Sequence, residues 1–387
     1  MGGRRASCDW RRLFGTLIYL ISAIALAAAG YQLVALVACL KQLLSGGVAV
    51  RNQQPVSILK PVRGLDPDFY EAIRSHAVQD YPAPVEFLFG AADASDPSIA
   101  VIERLQKEFP ELSIRWIHST TKAPNAKVGV LIDLAREARY PMLLVNDSDI
   151  LVPQGYLRKV TAPLDDSGVG IVTALYRARS RYIPGRWEAL GIAIDFAPSV
   201  LVATLVGVRE FGLGATLVFR ASDLKAIGGF EAIADYLADD YQLAKKLTGL
   251  GKRAYMSDVV VETSIGDDSW YGVWQHQVRW ARTIRVSRGD GFLGLPITHT
   301  GLWILISALF GLWSLALCLT ILRIVNAFVS GVLVLHSPIA KRSFWLAPLW
   351  DIWAFCVWIA GLTGSTVVWR DGVLQLTKDG KLLRRES

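Results

Sequence analysis

Cysteine is scarce in this sequence. The 387-residue chain has four cysteines, Cys8, Cys39, Cys318 and Cys356, which all lie in or beside apolar segments near the two ends. None falls between residues 51 and 296. A disulfide framework or a zinc site of cysteine and histidine therefore cannot be built in the middle of the chain. This absence fits a middle domain that faces the cytoplasm.

The middle of the chain also lacks a block of lysines and arginines with aromatic residues between them. Such a block is typical of nucleic-acid-binding surfaces, so the formal net charge of +7 does not predict a nucleic-acid partner. Several basic residues lie instead near the apolar segments, where they would contact anionic lipid headgroups. The membrane is the partner that this charge predicts.

Long stretches without charge distinguish the two ends. With 52% hydrophobic residues and a mean hydropathy of +0.34, the chain is too apolar for a wholly soluble protein. Residues 13–44 are uncharged up to Lys41 and too long for a signal peptide, so we predict one tilted membrane anchor. Residues 297–336 would form one long span or a tight pair, and residues 344–368 a further span. We therefore predict three or four spans and three regions: an anchor at 1–50, a globular domain at 51–296, and a transmembrane region with a basic tail at 297–387.

Between the apolar ends, strand-like and helix-like runs alternate, which predicts an α/β fold. In open α/β sheets, ligands bind beyond the carboxyl ends of the strands. Lys60, Asp96 and Asp147 each lie at or just after such an end, so we expect them to share one crevice. The predicted strands are 56–61, 85–90, 113–117, 143–150, 169–174 and one within 212–220. The predicted helices are 67–78, 97–109, 127–138 and 238–250.

One predicted strand ends abruptly in two carboxylates, Asp147 and Asp149. Carboxylates two positions apart in a tight turn can share one divalent cation, and Mg²⁺ or Mn²⁺ suits such oxygen ligands. A metal there would neutralise a diphosphate leaving group. The alternative is an Asx-turn that caps a helix beginning near Pro153.

A second acidic pair, Asp239 and Asp240, opens the predicted helix 238–250. The helix dipole favours two carboxylates at a helix N-terminus, so a purely structural role is one interpretation. The functional interpretation makes Asp240 a general base.

Residues 187–208 form a shorter apolar stretch inside the middle domain. Two carboxylates and Pro198 interrupt it, which favours a buried or interfacial helix over a membrane span. The glycines that follow, Gly212 and Gly214, allow the backbone to come close to a ligand.

A predicted helix near 270–290 carries an arginine at every third position from Arg279 to Arg288. Its apolar residues fall on the other side, as in a helix that lies on a membrane surface, although a solvated basic face would look the same. Arg279 and the adjacent Trp280 are well suited to holding a diphosphate and covering it from water.

The order of these residues resembles a known family signature. It is similar to the D, D, D, (R/Q)xxRW signature of family 2-like glycosyltransferases, and more closely to the ceramide glucosyltransferase family, including its bacterial form. The likeness covers nearly the whole chain. It is carried by Lys60-Pro61, Asp96, Asp147, Asp239-Asp240, Arg279-Trp280 and the stretches 57–61, 125–127 and 228–230.

This resemblance implies a GT-A α/β domain with N- and C-terminal transmembrane helices. The implied reaction is an inverting transfer of glucose from UDP-glucose to the primary hydroxyl of ceramide. The implied location is the bacterial inner membrane or an equivalent membrane, with the catalytic domain in the cytoplasm.

The resemblance also implies roles for single residues. Asp240 is the expected catalytic base, and Asp147 and Asp149 are the expected ligands of Mg²⁺ or Mn²⁺. His276 departs from the family, which has arginine or glutamine at this position. The expected substrate-binding residues are Lys60, Asp96, Lys127, Asp239, His276, Arg279 and Trp280.

Three alternatives remain open at the level of the sequence. The donor could carry galactose or glucuronic acid, since no residue can be assigned to the hydroxyl or carboxylate that distinguishes them from glucose. The acceptor could be diacylglycerol or polyprenyl phosphate, although three or four spans are few for a processive synthase. A non-catalytic membrane scaffold that binds nucleotide sugars is a third alternative, against which the retained carboxylates and Arg279-Trp280 argue.

Overall fold

The computed structural model describes residues 3–48, 53–208, 210–266, 269–369 and 372–384. The predicted boundary between the anchor and the globular domain, at residue 50, lies outside these residues. The strands are β1 (Val56–Pro61), β2 (Val85–Ala91), β3 (Ser113–His118), β4 (Met142–Val145), β5 (Val169–Arg179), β6 (Leu217–Arg220), β7 (Arg253–Ser264), β8 (Thr366–Trp369), β9 (Gly372–Leu376) and β10 (Leu382–Arg384).

Helices make up most of the remaining structure. Two π-helical stretches, Ile192–Phe196 and Val329–Val334, interrupt or extend them. The α-helices are α1 (Gly3–Leu44), α2 (Phe69–Ala77), α3 (Ser98–Glu108), α4 (Ala126–Glu137), α5 (Tyr156–Thr161), α6 (Ile183–Gly191), α7 (Ala197–Leu205), α8 (Ala221–Ala226), α9 (Asp239–Thr248), α10 (Trp270–Ser287), α11 (Gly289–Thr298), α12 (Thr300–Leu309), α13 (Trp313–Phe328), α14 (Pro338–Ser343) and α15 (Ala347–Leu362).

A seven-stranded mixed sheet forms the centre of the middle domain, in the order β3-β2-β1-β4-β6-β5-β7. The first four strands in this order are parallel, so their carboxyl ends meet at one edge. β6 runs antiparallel to both of its neighbours, and β5 and β7 are again parallel. The predicted α/β class is confirmed, and the predicted β1 matches the observed strand from end to end.

Helices cover both faces of this sheet because its central strands are buried on both sides. On one face, Ile73 of α2 and Ile102 of α3 pack on the sheet. On the other, Leu131 of α4 and Leu243 of α9 do so. The helix that carries the second acidic pair, α9, is therefore fixed against the sheet by its apolar side.

Three strands differ clearly from the prediction, and one of them, β5, runs to Arg179 where we predicted an end at residue 174. The run that we predicted as a strand to Ile150 stops at Val145, so Asp147 and Asp149 lie in the loop that follows β4. β7 was not predicted, although it is twelve residues long, because its alternation is broken by charged and polar residues.

Within the part of the chain that the structure describes, four helical segments are long and apolar enough to cross a membrane. The N-terminal anchor is one unbroken helix, as predicted. The region 297–336, for which we predicted either one long span or a tight pair, is broken between α12 and α13. The helices α11 and α12 meet at a bend of 46° and would together make a fifth span. The four segments are Arg12–Leu44, Ile183–Leu205, Trp313–Val334 and Pro338–Leu362.

For the third predicted apolar region, 344–368, our prediction of the C-terminal end was wrong. Helix α15 stops at Leu362, and Gly364 follows with a φ of +79°, a left-handed conformation that glycine adopts readily. The chain then turns into β8, β9 and β10, which form a small antiparallel sheet. This sheet packs on Leu237 and Val286.

The segment Ile183–Leu205 packs with the apolar helices of the two chain ends. Its residues Leu190 and Ala193 share one buried cluster with Cys39 of α1 and Ala327 of α13. At Gly191 a Cβ atom would lie only 1.9 Å from the Trp350 ring, so only glycine permits this close packing. The segment therefore joins the middle domain to the apolar helices, whether it crosses the bilayer or lies buried beside it.

An ion pair lies among the apolar helices. Arg323 of α13 donates from Nε to Asp351 Oδ2 at 2.8 Å and from Nη2 to Oδ1 at 2.7 Å. It also donates to the carbonyl oxygen of Ile194, and Asp351 accepts from the backbone N–H of Gly301. Buried charges in an apolar region require this degree of pairing.

The arginines of α10 do not form a free basic face. Arg282 donates to the carbonyl oxygens of Thr363 and Thr366, and Arg285 donates to those of Gly361, Leu362 and Gly364. These carbonyls belong to the C-terminal end of α15 and the turn after it, where a helix lacks intrahelical donors. The predicted contact of these two arginines with lipid headgroups is therefore replaced by a contact inside the protein.

Candidate active site

The loop after β4 is held by a chain of buried hydrogen bonds. Lys60, at the end of β1, donates from Nζ to Asn146 Oδ1 at 2.8 Å and to the Asp147 carbonyl oxygen at 3.2 Å. Asn146 in turn contacts His76 Nε2 at 2.8 Å. Burial lowers the pKa of Lys60 to about 7, and the negative charges of Asp149 and Asp147 oppose that effect. Lys60 thus fixes the backbone of the loop that carries Asp147 and Asp149.

Lys127 is the cation at the centre of the acidic residues. Its Nζ atom lies 2.8 Å from Asp147 Oδ1 and 3.3 Å from Asp239 Oδ2. Burial alone would lower the pKa of Lys127, but the charges of Asp147 and Asp239 raise it above its ordinary value. Because Asn125 caps α4 by accepting from the Val128 N–H, Lys127 lies in the first turn of that helix. It joins the two acidic pairs that the sequence placed in separate elements.

Asp240 faces the same space as Asp147. Its Oδ2 atom accepts from the Gly214 N–H at 3.0 Å, and its Oδ1 atom accepts from the Tyr241 N–H at 2.7 Å. A Cβ atom at Gly214 would lie 3.4 Å from Asp147 Oδ2 and 3.6 Å from Asp240 Oδ2. Burial raises the pKa of Asp240 to about 6, the Asp239 charge acts in the same direction, and Lys127 opposes both. Such a carboxylate can accept a proton near neutral pH.

Asp149 points toward β7 rather than toward Lys127. Its Oδ2 atom accepts from the Thr263 hydroxyl and from the Ser264 N–H. Burial raises the pKa of Asp149, and the negative charges of Asp147 and Asp66 add to this effect. An excess of negative charge of this kind would be relieved by a bound cation.

The donor set fits a divalent cation only in part. Two carboxylates, Asp147 and Asp149, are hard oxygen ligands in one loop. Among the residues that the structure describes, no group of three or more His, Cys, Asp or Glu side chains could hold a metal ion. Mg²⁺ is often bound by one or two carboxylates together with substrate phosphates and water, so these residues suit a metal that arrives with a diphosphate.

Asp96 lies at the same edge of the sheet but outside the Lys127 cluster. Its Oδ2 atom accepts from the Gly64 N–H at 2.8 Å, and its Oδ1 atom accepts from the N–H and hydroxyl groups of Ser98. The contact from the Ser98 N–H satisfies the first backbone donor of α3. Asp96 therefore fixes the loop after β1, and its role toward a substrate stays a prediction.

His276, Arg279 and Trp280 lie on α10, and the first and last of them contact α6 and the π-helical stretch after it. His276 Nδ1 lies 2.5 Å from Glu188 Oε1, and its ring centroid lies 4.9 Å from that of Trp280. Trp280 also packs on Phe196, at 5.7 Å between ring centroids. The predicted roles of these residues toward a diphosphate stay predictions.

Tyr176 packs in the same cluster as Trp280, and no pattern in the sequence pointed to it. Its ring lies 5.5 Å from that of Phe196, next to Trp280. Burial raises the pKa of Tyr176 well above its ordinary value, and the negative charges of Asp240 and Glu188 act in the same direction. Glu188 was also missed as a site residue, although a lone glutamate in an apolar helix is itself a signal.

Comparison with known proteins shows what the chain as a whole is similar to. The sequence model described as "Glycosyl transferase family 21" matches residues 17–382. Ceramide glucosyltransferase 1 of Caenorhabditis elegans is 30% identical over 205 residues, which are 52% of this chain and 44% of that protein. Ceramide glucosyltransferase 3 of the same organism is 24% identical over 367 residues, which are 85% of this chain and 74% of that protein. The chain thus matches less than half the length of the first of these relatives.

A solved structure shares the fold. The mannosyltransferase PcManGT from Pyrobaculum calidifontis, in complex with GDP-Man and Mn²⁺, superimposes with a TM-score of 0.54 at 19% sequence identity. The similarity covers 88% of this chain and 97% of that one. The mixed α/β sheet is therefore of the GT-A type, as the resemblance implied.

Proposed function

Because the chain belongs to glycosyl transferase family 21, we propose that it transfers glucose from UDP-glucose to the primary hydroxyl of ceramide, with inversion at the anomeric carbon. The names of the two nematode relatives support this donor and acceptor class. The observation that carries the proposal is that Asp147 and Asp240 border the same space beside Gly214. A donor diphosphate held on one side of that space and an acceptor hydroxyl on the other would meet there.

The proposed reaction is a single displacement. The ceramide hydroxyl oxygen forms a bond to the anomeric carbon, and the bond from that carbon to the diphosphate oxygen breaks. The electron pair of the broken bond leaves with UDP, and the hydroxyl proton goes to Asp240. Gly214 and Tyr241 orient the Asp240 carboxylate through their N–H groups, and its pKa of about 6 leaves it ionised at neutral pH.

Asp147 and Asp149 would hold Mg²⁺ or Mn²⁺ in this proposal. When bound, the cation would neutralise negative charge on the diphosphate. Lys127 would act in two ways. It keeps Asp147 in place by an ion pair, and its positive charge limits the mutual repulsion of Asp147, Asp239 and Asp240. Arg279 and Trp280 would cover the diphosphate and exclude water from it.

The acceptor would reach the site from the bilayer. A two-chain lipid leaves the membrane only at a cost of about 0.8 kcal/mol for each exposed CH₂ group. Exposed apolar side chains lie at the N-terminal ends of α6 and α10, among them Ile183 and Tyr271. Between these ends, Trp187 and Trp270 both pack on Trp353. This surface is suited to receive lipid chains next to the site.

A test of this entry route replaces Ile183 and Tyr271 together by aspartate. The change should raise the apparent KM for long-chain ceramide several-fold and leave the KM for the nucleotide sugar unchanged. A changed nucleotide-sugar KM with unaltered ceramide dependence would place the entry elsewhere. An Asp pair at the distant, exposed positions Lys107 and Glu111 is the matched control.

We further propose that the middle domain lies in the cytoplasm of a bacterium-like cell, at its inner membrane, because nucleotide sugars are made in that compartment. The test uses a chain in which Cys8, Cys318 and Cys356 are replaced by serine; the last two are exposed. A cysteine introduced at Lys107 or Glu111 should then resist an impermeant thiol reagent in intact cells and react after lysis. Rapid labelling of intact cells would show that the middle domain faces the outside of the cell instead.

The decisive experiment offers the purified protein a panel of donors and acceptors. UDP-glucose, UDP-galactose and UDP-glucuronic acid would each be paired with ceramide, diacylglycerol and polyprenyl phosphate, and lipid products identified by mass spectrometry. Glucosylceramide should be the main product. Another product would correct the substrate while keeping the enzyme class, and binding of UDP-sugar without any product would favour a scaffold.

A further inference from the structure

The last turn of the small C-terminal sheet, with the start of β10, lies against the loop that leads into α9. We call these two parts the tail segment, residues 377–382, and the entry loop, residues 234–238. Two backbone hydrogen bonds join them: the Leu382 N–H donates to the Asp235 carbonyl oxygen at 2.7 Å, and the Leu237 N–H donates to the Gly380 carbonyl oxygen at 3.2 Å. Backbone groups that are removed from water need such partners, so these bonds fix the two parts in register.

Side chains add to this contact. Leu382 is 3% exposed and packs in one buried cluster with Leu237 and Leu376. The Lys381 Nζ atom lies 3.8 Å from Asp235 Oδ2, but both side chains are exposed, and an exposed ion pair contributes little. The backbone bonds and the buried Leu382 side chain therefore hold the tail segment on the entry loop.

Asn125 holds the entry loop from its other side. The Asn125 N–H donates to the Ala234 carbonyl oxygen at 3.0 Å, and Asn125 Nδ2 donates to the Tyr236 carbonyl oxygen at 2.8 Å. The same asparagine caps α4, whose first turn carries Lys127. The entry loop therefore lies between the helix that carries Lys127 and the tail segment.

Helix α9 begins without a cap of its own. Its N-cap residue is Ala238, which has no side-chain acceptor for the first backbone donors of the helix. Asp239 and Asp240 are the first two residues of α9, directly after the entry loop. Asp239 must reach Lys127, and Asp240 must reach the Gly214 N–H. The position of both carboxylates therefore depends on how the entry loop is held.

We propose that the tail segment is a positioning element of the active site, which keeps Asp240 in place beside Asp147 by holding the entry loop. This inference rests on the function proposed above. The tail segment acts through the entry loop and not by contact with a substrate. A shift of a catalytic group by about 1 Å can cost roughly 100-fold in rate, so release of the loop should be costly. The Asp147 loop is held separately by Lys60, so donor binding should not depend on the tail segment.

The first test removes one of the two backbone donors. Leu382→Pro has no N–H for the Asp235 carbonyl oxygen, and proline is otherwise compatible with extended backbone. Turnover should fall by roughly 10–100-fold. The KM for the nucleotide sugar and the affinity for UDP, measured by calorimetry, should stay as in the wild type. A merely structural role would lower the yield of folded protein instead of separating kcat from KM in this way.

A matched control places a proline elsewhere in the tail segment. Lys378 is exposed and is the second residue of a turn in which the Gly380 N–H donates to the Thr377 carbonyl oxygen at 3.1 Å. Proline is favoured at the second position of such turns. Lys378→Pro should therefore keep wild-type turnover.

A disulfide supplies a reversible rescue. Tyr236 and Lys381 lie opposite each other in an antiparallel bridge, between the two backbone bonds and not joined by them. Cα atoms of such non-hydrogen-bonded pairs are about 4.5 Å apart, which suits a disulfide. Tyr236→Cys with Lys381→Cys would be combined with Leu382→Pro. Oxidation should restore turnover to that of the same cysteine pair with Leu382 intact, and reduction should remove it again. The background chain has serine in place of Cys8, Cys318 and Cys356.

Hydrogen exchange tests the contact without any turnover. Amides of residues 234–242 should exchange faster in Leu382→Pro than in the wild type in the same detergent, while those of α4 keep their rate. If the wild type formed no glycolipid at all, the proposed function would fail. The exchange experiment would still decide whether the tail segment holds the entry loop.

Three outcomes would overturn the proposal. The first is equal turnover in Leu382→Pro and Lys378→Pro. The second is a disulfide that forms, as judged by mass spectrometry, without any recovery of turnover. The third is equal exchange of residues 234–242 in Leu382→Pro and the wild type. If Leu382→Pro does not fold, Leu382→Ala takes its place, since it shortens the buried contact with Leu237; wild-type turnover and exchange in that variant would equally refute the proposal.

Discussion

The Nζ atom of Lys127 lies 2.8 Å from Oδ1 of Asp147, and this contact joins the first turn of α4 to the loop after β4. The same lysine reaches Asp239 at the start of α9. One cation therefore holds together the carboxylates that would serve the donor and those that would serve the acceptor. Removing the Lys127 side chain should change the charge of the site more than its shape.

Lys127→Met should move the acidic limb of the pH profile to higher pH. Asp240 must be ionised to act as a base, its pKa is raised to about 6, and turnover should therefore fall as the pH drops through that value. Lys127 opposes this rise, so its loss should raise the pKa of Asp240 further. The measurement is kcat/KM against pH, with the exposed Lys107→Met as control. An unmoved acidic limb would remove Asp240 or Lys127 from the proposed arrangement.

Asp240→Asn should lower turnover by roughly 10²–10⁴-fold and spare the binding of UDP-sugar, because only the proton acceptor is lost. Asparagine can still accept from the Gly214 N–H, so the loop should keep its place. Turnover and donor affinity would be measured in parallel. Asp239→Asn is the neighbouring control, and turnover near the wild-type value in Asp240→Asn would show that the base is another group.

Chelation should abolish activity, and Mg²⁺ or Mn²⁺ should restore it. Asp147→Ala should weaken both metal and nucleotide binding, since it removes a ligand and frees Lys127. Calorimetry with each metal in the presence of UDP gives a readout apart from turnover. Full activity after exhaustive chelation would assign the two carboxylates to loop structure alone.

Arg323→Met should destabilise the protein by about 3–5 kcal/mol, because it leaves the Asp351 carboxylate buried without its cation. A second change, Asp351→Leu, should recover most of that loss. The measurement is thermal unfolding in a fixed detergent, with Arg342→Met, an exposed arginine on α14, as control. If the double variant were no more stable than the single one, the pair would owe its importance to the Ile194 and Gly301 contacts instead.

Much of the middle domain could be predicted from the sequence because its signals are local. The apolar run of β1 and the helix predicted over 127–138 are read from neighbouring residues, and the observed elements, β1 and α4, match closely. The rule that ligands bind at the carboxyl ends of parallel strands also brought Lys60 and Asp147 together correctly.

What could not be predicted depends on contacts between distant residues. Glu188 and His276 are 88 residues apart, and no local sequence pattern near either residue predicts their contact. The arginines of α10 follow a pattern that suits both a membrane surface and a helix end, and only the position of α15 decides between them. The small sheet of β8, β9 and β10 could not be predicted, because its last strand lies in a charged tail that resembles a solvated terminus.

The hydrogen bonds from Arg282 and Arg285 join α10 to the end of α15 and to the residues just after it. Helix α15 is part of a span-length segment, so its depth follows the thickness of the bilayer. Helix α10, which carries Trp280, would then move with it. The position of Trp280 relative to the bilayer would follow hydrophobic matching, and the proposed turnover should be highest in membranes whose thickness suits α15.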